Sequence, residues 1–264
     1  MQFALYLRDD ANSHRIGDRL KTLLVENGLI ENVSQPNVVI FIGGDGTFLR
    51  AVHHYLSQHE SISFVGIHSG TLGFFCDFTE DKLPELVSLL KNEKIKPFSY
   101  RLLEAKLTYA SKEVVVQAVN EIRLENPFHT LIADVHIDHS YLECYRGNGL
   151  MVSSVLGSSA YNKSLGGAIV DTSLEAMELT EIATIQNNAY RSLGSSLVVH
   201  PKRTISFSGD FPKAIVGLDF LVLEDEEQLL KMDIYLSKKY VQLYHQHNYR
   251  YLDILRKTFV VDKE

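Results

Sequence analysis

Val38-Val39-Ile40-Phe41-Ile42-Gly43-Gly44-Asp45-Gly46-Thr47-Phe48-Leu49-Arg50-Ala51-Val52 decides how this chain is read. Val38 to Ile42 is a continuous β-branched and aromatic run, the composition of a strand covered on both faces in a parallel sheet. The glycines then stop it, and Phe48, Leu49, Val52, Tyr55 and Leu56 follow at helical spacing. In a strand-loop-helix unit the absent Cβ atoms let the chain turn sharply and bring backbone N–H groups close to a ligand. The helix behind the loop starts with free N–H groups and the positive end of its dipole, which makes a cradle for phosphate oxygens. Gly43, Gly44, Gly46 and Thr47 are the expected phosphate-loop residues, and Arg50, one turn on, an expected phosphate partner. Asp45 is out of place in an anion cradle unless it organises Mg²⁺ or takes up a proton, and both roles belong to phosphoryl transfer. The string is neither a Walker A loop, since no GKS or GKT follows, nor GxGxxG.

Working outward, Phe3 to Leu7 reads as a strand, and Ile16, Leu20, Leu23 and Leu24 share a helix face that Gly28 terminates. Ile62 to Ile67 is another buried-type strand and Leu83 to Leu90 a helix. The order β-α-β-α-β-α predicts an α/β, Rossmann-like open parallel sheet over residues 1–97. After Pro97 the sequence turns to short β-rich stretches: Ala105 to Tyr109, Val114 to Leu124, Leu131 to Ile137, Tyr141 to Tyr145, Leu197 to Val199, Thr204 to Phe207, Leu218 to Leu223 and Lys231 to Leu236. That spacing predicts a β-rich, sandwich-like, mostly antiparallel domain over residues 98–248. The segment from Tyr249, about 249–264, has a pattern too short to decide whether it returns to the first domain.

The chain has 264 residues, 45% of them hydrophobic and 22% charged, enough for two modest cores. Its formal charge of −7 gives no net attraction to nucleic acid or an anionic membrane, so phosphate must be gripped locally. Cys76 and Cys144 lie far apart without a CxxC or a zinc-type histidine partner, which fits a reducing compartment. No basic n-region leads a long apolar stretch, and the expectation is a soluble, cytoplasmic protein. His136 with His139, and His245 with His247, lack a carboxylate or cysteine spaced to complete a zinc site. Glu224 to Glu227, with Asp225, reads as a solvated turn.

Gly43 to Thr47 resembles the GGDGT signature shared by NAD kinases, diacylglycerol and sphingosine kinases, and phosphofructokinases. Three further segments are similar to the NAD kinase family in particular: Asn120-Glu121, GIHSGTLGFF over Gly66 to Phe75, and RGNGLMVSSVLGSSAYNKSLGG over Arg146 to Gly167. The resemblance implies transfer of a phosphoryl group from ATP or polyphosphate to the adenosine-ribose 2′-hydroxyl of NAD, with a divalent metal, Mg²⁺, and an active site between the two domains. It implies that Asp45 is the catalytic residue, that Asn120 and Glu121 hold the ribose hydroxyls and adenine, and that Gly46, Leu156, Ser159, Ala160, Tyr161, Asn162, Lys163 and Ser164 belong to the NAD site. Phe74 either covers the adenosine or packs under the sheet. Arg146, Asn148 and Ala183 match positions the family uses for NAD across a subunit contact, which implies a dimer or tetramer. The chain departs from the family at Asn148, where Asp is usual, and at Ser154-Val155, where Thr-Pro is usual. A lipid kinase of the same superfamily needs an apolar slot for an acyl chain, and a non-catalytic NAD-binding regulator has no need of Asp45. Those are the two alternatives.

Overall fold

The computed structural model describes residues 1–58, 61–70, 73–94, 96–223, 225–245 and 251–260. The chain divides into two compact units, Met1–Tyr100 with Tyr240–Glu264, and Arg101–Lys239. In the first, β1 (Gln2–Leu7), α1 (Ala11–Glu26), β2 (Ile30–Glu31), β3 (Val38–Gly43), α2 (Asp45–His54), β4 (Ser63–His68) and α3 (Leu83–Lys91) follow in order. β3 is buried at every residue and pairs in parallel with β1 and β4, Val38 lying opposite Phe3 and Ser63. One face of this sheet gives Val38, Ile40, Ile42, Val65 and Ile67 to a core completed by Ile16, Leu20 and Leu24 of α1 and Leu83, Leu86 and Leu90 of α3. The other face takes α2, whose Phe48 ring lies 5.2 Å from Phe41 and 6.0 Å from Phe64. Helices on both faces leave the strand no wet side, hence the uninterrupted apolar run. Asp10 caps α1 by accepting from the amides of Asn12 and Ser13, and Gly28, at φ +83°, follows its end as a left-handed residue should.

The chain then runs through β5 (Pro97–Tyr109), β6 (Glu113–Ala118), β7 (Glu121–Glu125), β8 (Leu131–Ile137), β9 (Ser140–Gly147), β10 (Gly149–Ser154), α4 (Tyr161–Ser164), β11 (Met177–Ile182), β12 (Leu197–Val199), β13 (Ile205–Ser208), β14 (Ile215–Leu218), β15 (Leu221–Leu223), β16 (Leu229–Tyr244) and α5 (Tyr251–Phe259). In the second unit, β12-β11-β10-β7-β14-β15 form a six-stranded antiparallel sheet. Its Ile122, Leu124, Leu150, Val152 and Leu179 share one core with Leu103, Leu107, Val135, Phe207 and Ile234 from β5, β8, β13 and β16. Two sheets over a common core make a sandwich.

Several expectations change in detail. Val114 to Leu124 is two strands, broken at Val119 and Asn120, and Leu218 to Leu223 is a hairpin turning at Asp219 and Phe220. β5 starts at Pro97 rather than Ala105, and β16 runs from Leu229 to Tyr244 rather than over 231–236. β10 and β11 lie outside the stretches whose sequence reads as strand. The second crossing between units falls at Tyr240 rather than Tyr249, because the end of β16 pairs in parallel with β4, Gln242 opposite Ser63. Tyr249 lies outside the described residues.

Candidate active site

Gly44 caps α2, so Asp45 is the first residue of the helix. The backbone closes this turn itself: the Thr47 amide donates to the Gly44 carbonyl at 2.9 Å, and the Gly44 amide donates to the Thr47 hydroxyl at 3.3 Å. Thr47 is therefore a buried brace of the loop. Arg50 is exposed and curls back until its guanidinium donates to the Gly46 carbonyl at 3.4 Å, which keeps its charge beside the loop. The Asp45 carboxylate accepts from the amides of Phe74 and Phe75, both at 3.1 Å. A Cβ on Gly73 would overlap that carboxylate, so glycine there lets the second loop close on it. Burial raises the Asp45 pKa above its ordinary value, against the two amides, which lower it. A carboxylate in an anion cradle is thus neutralised by amide dipoles and left more basic than usual. Phe74 does not pack under the sheet: it is half-buried, 5.6 Å from Phe259 and 6.4 Å from Tyr251 on α5. Phe75 does, 4.4 Å from Phe48.

In the second unit, the break between β6 and β7 forms a sharp corner at Val119-Asn120-Glu121. The amides of Val119, Asn120 and Glu121 donate to the buried Asp219 carboxylate at 2.9, 2.7 and 3.2 Å. Because the chain bends here, Asn120 and Glu121 escape strand alternation and both side chains are buried, with Asn120 Oδ1 and Glu121 Oε2 meeting no donor among the described residues. Buried acceptors without donors mark a place where a ligand's hydroxyls or amines fit. Burial, helped by Asp219 and Glu125 and opposed by Arg123, pushes the Glu121 carboxyl up to about 8. Glu121 therefore binds a proton in the folded chain that it lacks when unfolded. That contribution to stability is complete below the ordinary carboxylate range, about 4.3, and is lost as pH rises through about 8. We expect Glu121→Gln to lose less melting temperature than the parent between pH 6 and 9. Equal losses in both proteins, by calorimetry, would contradict this.

The loop after β10 leans on the same corner. Ser154 donates to the Val119 carbonyl at 2.6 Å and accepts from the amides of Leu156 and Gly157 at 3.1 and 3.2 Å. A Cβ on Gly157 would overlap the Asn120 backbone, which fixes the closest approach. Ser159, Ala160 and Tyr161 are half-buried, and the Arg123 guanidinium sits 5.3 Å from the Tyr161 ring centre, so Tyr161 is not a core residue. Leu156 is buried, while Lys163 and Ser164 are exposed. The Asn162 side chain is turned into the protein and fully buried, donating to Glu178 at 2.8 Å and accepting from the Thr180 hydroxyl at 2.6 Å, so it shapes the loop from within. Asp219 and Glu178 escaped the sequence reading. The signal for Asp219 was a Gly-rich-turn residue type, Asp, inside the apolar run Leu218 to Leu223.

Arg146, Asn148 and Ala183 come together at the other end of β10. The Asn148 amide donates to the Ile182 carbonyl at 3.0 Å and the Ile185 amide to the Arg146 carbonyl at 2.8 Å, while Arg146 stacks 4.4 Å from Tyr190. From Gly149 to Ser154 β10 advances about 3.4 Å per residue, so this cluster stands about 17 Å along the strand from the Asn120 corner.

Among the described residues no three of His, Cys, Asp and Glu are grouped to hold a metal ion. His136 packs against Tyr141, and His245 pairs with Asp77 at 2.8 Å; His247 lies outside the described residues. Of the acidic run, Glu224 also lies outside them, and Asp225 pairs with Lys112 at 2.7 Å. Among the described residues no helix is long and apolar enough to cross a membrane.

Residues 23–95 match the ATP-NAD kinase N-terminal domain and residues 119–242 the ATP-NAD kinase C-terminal domain. The chain belongs to the NAD kinase family, phosphotransferases that convert NAD to NADP. It is 35% identical over 273 residues to the NAD kinase of Latilactobacillus sakei, covering 100% of this chain and 99% of that one. It is 32% identical to NAD kinase 1 of Bacillus cereus over the full length of both. Its fold resembles yeast NADH kinase complexed with NADH, at a TM-score of 0.87 and 17% identity over 100% of this chain and 89% of the other. The NAD kinase of Archaeoglobus fulgidus in complex with ATP gives 0.74 at 20% identity, covering 99% and 100%.

Proposed function

We propose that the chain moves the terminal phosphoryl group of ATP onto the adenosine-ribose 2′-hydroxyl of NAD, with Asp45 as the base. The observation that carries this is the Asp45 carboxylate at the head of α2, held by two amides and made more basic by burial. Asp45 takes the hydroxyl proton as the oxygen bonds to the γ-phosphorus and the bond from that phosphorus to ADP breaks. The first N–H groups of α2, at Asp45 and Gly46, stabilise the phosphate oxygens, while Gly43 and Gly44, the latter with its amide on the Thr47 hydroxyl, keep the turn free of side chains. Each Asp45 oxygen accepts one amide hydrogen and keeps a further lone pair, so the carboxylate suits a Mg²⁺ carried in on the triphosphate. Mg²⁺ there supplies neutralisation of phosphate charge. Inorganic polyphosphate, with the same phosphoanhydride bonds, suits the loop as a second donor.

Asn120 Oδ1 and Glu121 Oε2 are the acceptors for the adenine amine and ribose hydroxyls. The 17 Å along β10 is too far for Arg146, Asn148 and Ala183 to serve the same end of one nucleotide, which supports a homo-oligomer in which they complete a neighbour's site. Purified chain with NAD and Mg-ATP should yield NADP. Diacylglycerol or sphingosine as the preferred acceptor would establish the lipid-kinase alternative, and NAD binding without turnover the regulatory one.

Glu121→Ala should weaken NAD binding by roughly tenfold near neutral pH, about the upper value of one hydrogen bond to an uncharged carboxyl, with a smaller effect on ATP. Unchanged NAD affinity by calorimetry would place Glu121 outside the site. Asn148 donates its NH₂ to the Asn126 carbonyl at 3.1 Å. The family's usual aspartate would set a carboxylate against that carbonyl here, so Asn148→Asp should lower stability by about 1 to 3 kcal/mol while changing kcat at saturating NAD little. Denaturant unfolding and a hundredfold fall in kcat are the two readings that separate this from a catalytic role.

A further inference from the structure

We propose that Asp219 is a positioning residue of the nucleotide site: its buried carboxylate clamps the corner at residues 119–121 and so fixes where Asn120 and Glu121 present their side chains. The inference rests on reading those two residues as NAD ligands. Where β6 stops and β7 starts, the amides of Val119, Asn120 and Glu121 have no strand partner, and unpaired buried amides are costly. Asp219 takes them all. Its Oδ1 accepts from Asn120 and Glu121 at 2.7 and 3.2 Å, and its Oδ2 from Val119 at 2.9 Å. The contact is reciprocal, since the Asp219 amide donates to the Glu121 carbonyl at 3.0 Å and the Arg123 guanidinium to the Asp219 carbonyl at 3.1 Å.

Asp219 reaches this arrangement only by turning left-handed, at φ +52°, in the hairpin between β14 and β15. A non-glycine residue in that region carries strain, which the charge-assisted hydrogen bonds offset. On the opposite side of the corner Ser154 and Gly157 touch the Val119 and Asn120 backbone, through a carbonyl and by close packing, and neither supplies an acceptor for these amides. Asp219 therefore holds the corner and also charges it. The titratable and charged groups acting on Glu121 are Asp219 from the β14–β15 turn and Arg123 and Glu125 from β7, with Arg123 in turn lying over the Tyr161 ring of α4.

The test uses the full chain as Asp219→Asn, Asp219→Gly and Glu121→Gln, with NAD binding by calorimetry from pH 6 to 9 and the kinetics of NADP formation. Asparagine keeps the shape but turns an NH₂ toward an amide and removes the charge. Glycine removes every acceptor yet suits φ +52°, so it keeps the fold if asparagine does not. Both Asp219 variants should raise Kd and KM for NAD by roughly tenfold, with a smaller fall in kcat at saturating NAD. Both should move the pH midpoint of NAD binding downward, because the negative neighbour that favours a protonated Glu121 is gone. Glu121→Gln should remove that midpoint. Loss of NAD binding only in proportion to the unfolded fraction, with the midpoint unmoved, would make Asp219 merely structural and overturn the proposal. If Glu121→Gln leaves both NAD affinity and the midpoint untouched, the reading of Glu121 as a ligand has failed. If it weakens NAD while the Asp219 variants do not, the positioning role alone has failed.

Discussion

Asp45→Asn should lower kcat by about 10²- to 10⁴-fold, the range that positioned general-base catalysis contributes, while NAD affinity changes by less than about threefold. The substitution keeps the shape of the side chain and removes its basicity. It also turns an NH₂ toward one of the two amides that the carboxylate now accepts, from Phe74 and Phe75, and leaves that amide without an acceptor. Against this, a neutral side chain no longer suffers the burial that raises the Asp45 pKa. The two effects oppose one another, so the melting temperature should move little. In the parent enzyme kcat should fall as pH drops through the raised Asp45 pKa, because only the ionised carboxylate accepts a proton. In Asp45→Asn that acid limb should be missing from the residual rate. A kcat within tenfold of the parent, with the limb intact, would remove Asp45 from proton transfer.

The first unit was legible because its strands are buried on both faces and its helices on one. β3 with no polar residue, and α1 with Ile16, Leu20 and Leu24 on one stripe, can be read in only one way. The loop at Gly43 to Thr47 was legible because its glycines and its carboxylate make opposite demands. The second unit hid its most useful features inside apolar runs. Within Val114 to Leu124 only the adjacent Asn120 and Glu121, which a straight strand would point to opposite faces, call for a bend, and the acceptor that holds it, Asp219, lies about a hundred residues away in sequence. β11 reads MELTEI, and its Glu178 looks solvent-facing until Asn162 and the Ala168 amide are seen to satisfy it. Asn162 is named by the resemblance along with its neighbours, and its remote partners Glu178 and Thr180, which bury its side chain, leave no local signal in the sequence. The family resemblance names a continuous stretch of chain and does not separate the buried Leu156 and Asn162 from the half-buried Ser159, Ala160 and Tyr161 or the exposed Lys163 and Ser164.

Gly73→Ala should lower kcat by about 10²-fold or more with the fold retained, although residue 73 carries no side chain and takes no part in the chemistry. A Cβ there would overlap the Asp45 carboxylate, whose two oxygens are pinned by the next two amides, of Phe74 and Phe75. The clash has two ways to relax. Either Asp45 rotates away from the amides, or the 73–75 backbone withdraws and takes them with it. Both displace the base by something approaching an ångström, a misplacement that costs about 10²-fold where a reacting geometry must be held. The effect should fall on kcat, since Asn120 and Glu121 belong to a different unit of the chain. Gly70→Ala, three residues earlier in the same loop, is the control: a Cβ at Gly70 meets nothing within 4 Å. It should keep kcat within about threefold, on the ordinary scale of surface substitutions. Steady-state kinetics on the pair decides the matter. Equal activity in both variants would mean that the Asp45 carboxylate tolerates displacement and that the two amides do not define its working position.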